Sequence, residues 1–131
     1  MNIKSIGMIA SAVFALALFA SAAVNNEPIT KNNDTVIVNT AQICKTVRGF
    51  KGSTPLQIHI KKNKIVKVEA LPNRETPQYF AKAKALLKQF EGKTVKKAAK
   101  LEVDGVSGAT YSSKALVKNM KQGLEYYQNN K

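Results

Sequence analysis

Residues 56–71, LQIHIKKNKIVKVEAL, hold the reading on which the fold turns. Leu56, Ile58 and Ile60 alternate with Gln57 and His59, the period of a strand with one buried face. Lys62-Asn63 supplies a turn, and residues 65–71 form the next strand, so the stretch predicts an antiparallel hairpin. Upstream, Ile43, Lys45 and Val47 lead into Gly49-Phe50-Lys51-Gly52, which predicts a strand ending in a glycine-bounded turn. Residues 35–38 (TVIV) predict a short strand, and residues 24–33 (VNNEPITKNN) read as a polar leader loop.

Downstream the period changes. Thr76 is a candidate N-cap and Pro77 suits the first helical position, since it has no N–H to leave unpaired. Phe80, Ala83, Leu87 and Phe90 then form one apolar stripe, and Glu91-Gly92 ends the helix. Residues 93–100 form a basic connection, and residues 101–103 (LEV) are a short strand candidate. A last helix, starting near Ser112 or Ser113, carries Leu116, Met120, Leu124 and Tyr127. Strands, helix, strand, helix gives an α+β domain: an antiparallel sheet with two main helices.

The first 22 residues read as a signal peptide. Lys4 provides the positive start, residues 5–19 are uncharged and largely apolar, and Ala20-Ser21-Ala22 fits a cleavage site. The apolar run is shorter than the ~20 residues of a bilayer span. A retained anchor is the competing reading. The expected division is therefore a signal at 1–22, a leader loop or short strand at 23–40, and a domain at 41–131, periplasmic or secreted. Cleavage leaves 109 of the 131 residues, enough for one core.

Charge is the most unusual bulk property, with 21 Lys+Arg against 8 Asp+Glu, or +13. Loss of Lys4 with the signal lowers this only to +12. Such a charge attracts anything acidic, whether nucleic acid, anionic lipid or polysaccharide, or an acidic protein, but a solubilising surface is the plainer account of it. Nucleic acid is disfavoured by the export signal and the missing aromatic stacking pattern. Cys44 is the only cysteine, so an internal disulfide is excluded, and it reads as a half-buried thiol on a strand. His59 is the only histidine and falls on the polar strand face, so neither a metal cluster nor a nucleophile–base pair can be assembled.

One segment is poorly explained by folding alone: residues 104–113, DGVSGATYSS. Gly105 and Gly108 allow tight turns, hydroxyls crowd around them, and a helix follows at once. Helix-start N–H groups lack internal partners and suit a phosphate, although an ordinary capped turn has the same ingredients.

D-G-V-S-G-A-T resembles the flavinylation sequence of the FMN-binding domain family, whose members include the C subunit of sodium-pumping NADH:quinone oxidoreductase and the G subunit of the Rnf complex. Residues 49–52, 56–60 and 65–68 are similar to that family's opening meander, and Asn73-Arg74-Glu75-Thr76-Pro77 to its H-x-E-T-P segment. The resemblance spans about residues 43–126. It implies FMN held covalently as a phosphoester on Thr110, attached by a flavin transferase of the ApbE type. Asp104, Gly105, Ser107, Gly108 and Ala109 occupy the matching recognition positions. Tyr111, Ser112, Glu75 and Thr76 complete the implied cofactor site. Gln78-Tyr79-Phe80 stands where the family has a glycine-rich loop.

The expectation is an electron carrier rather than a turnover enzyme, serving a membrane or surface redox partner. A tether makes sense outside the cell, because it replaces dilution by an effective concentration of order millimolar. Two other readings stay open: a reversible FMN-binding protein of the same fold, and a cationic secreted binding module without cofactor.

Overall fold

The computed structural model describes residues 27–131, and the signal-peptide reading lies outside them. Four strands form one antiparallel sheet in the order β1-β2-β3-β4: β1 Ile29–Asn32, β2 Thr35–Asn39, β3 Leu56–Lys61 and β4 Lys64–Ala70. The predicted hairpin is present, with Leu56 opposite Ala70 and Ile58 opposite Val68. Lys62 and Asn63 both take positive φ (52° and 60°), the geometry of a two-residue turn whose twist matches its strands. Lys67 pairs with His59 and Ile65 with Ile60, so Val66 is an extra residue in the ladder.

Two expectations fail at the amino-terminal side. Ile29–Asn32, read as loop, is the edge strand β1, because Val36, Ile37 and Val38 of β2 offer it a ladder. The strand expected through Ile43, Lys45 and Val47 is instead a helical turn, α1 (Thr40–Ile43), followed by a bend. The Asn39 side chain caps it, accepting from the Ala41 N–H at 2.9 Å.

The helix α2 (Pro77–Lys84) begins as expected at Pro77, but the Thr76 hydroxyl makes no capping bond. It tightens into a 3-10 turn over Ala85–Gln89, still burying Phe80, Ala83, Leu87 and Phe90. Gly92 (φ 84°) supplies the stop. The basic connection contains a short helix, α3 (Val95–Ala99), capped by Thr94 Oγ1 at the Lys97 N–H. Residues 101–103 form no strand. The long helix α4 (Thr110–Asn130) starts at Thr110 itself, two or three residues before the serines expected to open it.

Helices and sheet meet in one core. Leu56, Ile58 and Ile60 face Leu116, Met120 and Leu124 of α4, all fully buried. Gly123 lets α4 lie close: a Cβ there would stand 2.8 Å from Thr40 Cγ2 and 2.9 Å from Ile58 Cδ1. Beside it runs a buried polar seam. The Thr40 hydroxyl donates to Asn119 Oδ1 at 2.5 Å and accepts from the Leu56 N–H at 2.8 Å. Asn119 Nδ2 donates to the Ala115 carbonyl at 2.9 Å and to Thr54 Oγ1 at 3.4 Å. Every buried donor here has an acceptor, which fixes where α4 sits along the sheet.

The outer edge of β4 is covered. Ile65 exchanges bonds with the 92–93 segment, donating to the Lys93 carbonyl and accepting from the Gly92 N–H, while Val68 N–H donates to Glu91 Oε2. Among the described residues, no helix is long and apolar enough to cross a membrane.

Candidate functional site

A tight hairpin tip begins the site. Gly49 N–H donates to the Gly52 carbonyl at 2.7 Å, and Arg48 bridges Ser53 below it. The N–H groups of Phe50 and Lys51 are left without ladder partners, and both donate to Glu75: to Oε1 at 2.8 Å and Oε2 at 2.5 Å. Glu75 is held in place by Asn73, whose Oδ1 accepts the Glu75 N–H at 3.0 Å. From the other side, the Ser112 hydroxyl donates to Glu75 Oε1 at 2.5 Å. One carboxylate, 6% exposed, thus joins the hairpin, the segment before α2 and the first turn of α4. Burial alone would raise its pKa. The Ser112 hydroxyl and the Lys51, Phe50 and Gly52 N–H groups outweigh burial and hold the carboxyl below its ordinary value. Gly49 is required here, because a Cβ would overlap Glu75 Oε1.

The 106–110 loop is fastened to the same helix turn. Ser113 Oγ accepts the Val106 N–H at 3.1 Å and donates to the Ala109 carbonyl at 2.7 Å. Gly108 sits at φ 84°, a conformation that needs glycine, and Ala109 N–H closes onto the Val106 carbonyl. Ala109 occupies the N-cap position with no side chain able to cap, and no acidic residue lies in the first turn. The opening N–H groups of a 21-residue helix are therefore left for an outside acceptor.

Above Glu75 opens a cleft of about 230 Å³. Phe50, Thr76 and Tyr79 form one wall, and Gly108 through Ser112 the other. Phe50 and Tyr111 are 67% and 66% exposed, with ring centroids 5.9 Å apart and planes at 36°. Three large aromatics at one opening, Tyr79 included, are surplus to the core; exposed apolar surface of this kind marks binding sites. Thr110 is exposed at the lip, on the first residue of α4. Planar aromatic walls beside free helix-start N–H groups fit a flat ring system carrying a phosphate.

The structure brings together seven of the expected residues: Glu75, Thr76, Gly108, Ala109, Thr110, Tyr111 and Ser112. Asp104, Gly105 and Ser107 are exposed and do not line the cleft. Gly105 lies at a separate recess with Lys114, and its φ is not left-handed, so this backbone alone does not demand glycine there. Lys114 lines that recess and not the aromatic cleft. Sequence reasoning missed Phe50 and Tyr79 as cleft walls. Their signal was visible only as an aromatic between two glycines and another at an outward position of α2.

His59 and Cys44 stand apart from the cleft. His59 pairs with Glu69 at 3.0 Å on the polar sheet face, and that contact, ahead of the neighbouring Lys67, lowers the Glu69 pKa. Cys44 is buried below the α1 bend rather than half-buried on a strand, and burial pushes its thiol up to about 11. Among the described residues there is no cluster of side chains able to hold a metal ion.

No curated protein matches the chain. The FMN-binding domain family does match, over residues 49–125, from the hairpin that reaches Glu75 to the far part of α4. That is 77 of the 131 residues, more than half of the chain, and it contains both walls of the cleft. The chain belongs to the FMN-binding domain family.

Proposed function

We propose that this protein is an exported flavoprotein electron carrier whose FMN is joined to Thr110 through a phosphoester. The observation that carries the reading is the position of Thr110: exposed, at the uncapped start of α4, on the lip of an aromatic cleft in an FMN-binding domain. FMN supplies the redox chemistry when bound, and the chain supplies position and field. Attachment by a flavin transferase consumes FAD: the Thr110 hydroxyl attacks the FMN phosphorus, AMP leaves, and the hydroxyl proton is lost. The resulting phosphodiester keeps one negative charge near the helix start, a placement worth ~0.3–1 kcal/mol. Phe50, Tyr79 and Tyr111 offer faces for the ring, while Glu75 fixes the hairpin and the helix turn on which two of them stand. The net charge of +12 left after loss of Lys4 favours the anionic reduced flavin and acidic partners.

Co-production with a flavin transferase and intact-mass measurement after denaturation test this reading. The expected gain is the mass of FMN less one water, absent from Thr110→Ala. A yellow protein whose flavin dissociates on denaturation would replace it with reversible binding. A protein that stays colourless would leave the cationic binding module.

A further inference from the structure

The segments that wall the cleft have a second side. Phe50 and Glu75 line the cleft, whereas their chain neighbours Lys51 and Arg74 line a separate recess of about 300 Å³ with Arg48, Ser53 and Asn73. The recess is mostly polar, and its three cations are exposed. Among the described residues none of them has a carboxylate within ion-pair distance; the pairs present are His59–Glu69, Lys61–Asp34 and Lys67–Glu69. Glu75, the nearest acid in sequence, has its oxygens occupied by Phe50, Lys51 and Ser112 on the cleft side. Among the described residues two guanidiniums and an ammonium are therefore gathered without counter-charge, with Lys51 directly beside Phe50 of the aromatic wall.

We infer that this recess docks an acidic segment of a protein redox partner, with a partner carboxylate seated between Arg48, Lys51 and Arg74. The inference rests on the flavin reading above, which gives docking at this spot its purpose. Guanidiniums pair with carboxylates in two-bond geometry, and rim charge pairs set the encounter rate of transient redox complexes. Adjacent Cα atoms are ~3.8 Å apart, so a partner held by Lys51 lies against the Phe50 edge of the cleft. A second basic region, around Lys62, Lys96 and Lys97, has no such relation. The Asn63 carbonyl accepts from Val95 N–H, and Asn63 Oδ1 accepts from Tyr127 OH, placing that region beside residue 127 of α4. Tyr127 lies seventeen helical steps from Thr110, about 25 Å.

The test has two arms. In the first, the Thr110→Ala chain without flavin is titrated with hexaglutamate peptide at low salt, and amide shifts are followed by NMR. Shifts should concentrate at Lys51, Gly52, Ser53 and Arg74 and vanish in Arg48→Gln/Lys51→Gln/Arg74→Gln. Shifts centred on Lys96 and Lys97, spread evenly over the surface, or absent would overturn the inference. This arm is readable whether or not the native protein carries FMN, so a flavin-free native protein sinks the proposed function separately.

In the second arm, the flavinylated chain is reduced and reoxidised by ferricyanide, a trianion. Two ferricyanide ions each take one electron, and the anionic reduced flavin becomes oxidised flavin with release of one proton. The recess triple variant should slow this about fivefold at low ionic strength. Lys62→Gln/Lys96→Gln/Lys97→Gln, with the same change in net charge, should slow it far less. Equal slowing would mean that overall charge, and not the recess, directs the partner.

Discussion

The Ser112 hydroxyl, in the first turn of the long helix, donates to the carboxylate of Glu75 at 2.5 Å across 37 positions of sequence. The same carboxylate accepts the N–H groups of Phe50 and Lys51, so the cleft is built around a single buried acceptor. Glu75→Gln replaces one acceptor oxygen with an amide donor, and at least one buried donor loses its partner. The expected loss is about 2 kcal/mol, whereas Ser112→Ala, which keeps the backbone bonds, should cost about 1. Thermal unfolding of both variants checks the order, and a larger loss for Ser112→Ala would refute it.

The depressed Glu75 pKa also fixes a pH dependence. Between its folded and unfolded pKa values the unfolded chain binds more protons, so stability falls as pH falls. The contribution is complete above the ordinary glutamate value of ~4.3 and is lost as pH drops through the lower folded value. Urea unfolding from pH 6 to pH 3 should show the decline, and Glu75→Gln should flatten it. An unchanged slope in that variant would assign the acid sensitivity to other carboxylates.

Gly123→Ala sets two effects against each other. Alanine gains about 1 kcal/mol in helix propensity. Its Cβ, however, would stand 2.8 Å from Thr40 Cγ2, and Thr40 cannot retreat without breaking its bonds to Asn119 and Leu56. Overpacking costs ~1–3 kcal/mol, so the net effect should be destabilising by about 1 kcal/mol. A rise in Tm would show that α4 can shift along the seam.

Phe50→Ala and Tyr111→Ala should separate attachment from ring contact. Both side chains are about two-thirds exposed, so stability should change by less than ~0.5 kcal/mol. Covalent flavin content should persist because Thr110 is untouched, while flavin fluorescence should rise as a quenching aromatic face is removed. Unaltered fluorescence in both variants would put the ring elsewhere.

Cys44 should behave as a masked thiol. With its pKa near 11 and its sulfur buried, it should resist alkylation at pH 8 in the native protein and react once unfolded. Native labelling at the rate of a free thiol would contradict this burial.

The hairpin of residues 56–71 and the apolar stripes of α2 and α4 were readable because each depends on a local period that its own residues carry. The cleft was readable in part. Thr110 and Glu75-Thr76 came from family resemblance, and the spacing of hydroxyls and glycines by itself favoured an ordinary capped turn. What escaped depends on long-range partners. Ile29–Asn32 becomes a strand only because β2 offers it a ladder, and α4 opens at Thr110, with the Ser113 hydroxyl donating back to the Ala109 carbonyl instead of capping the helix. Phe50 became a cleft wall only when Glu75, 25 positions away, captured its N–H.

The covering of β4 bears on how this protein behaves in a crowd of copies. The outward N–H and carbonyl of Ile65 and the N–H of Val68 are engaged by Lys93, Gly92 and Glu91, so a strand from another molecule finds the row interrupted there. At the opposite margin β1 is four residues long and carries Lys31, too short and too charged to seed end-on growth of the sheet. Neither margin of the sheet thus offers a long, uncharged and uncovered row of backbone groups to a neighbouring copy.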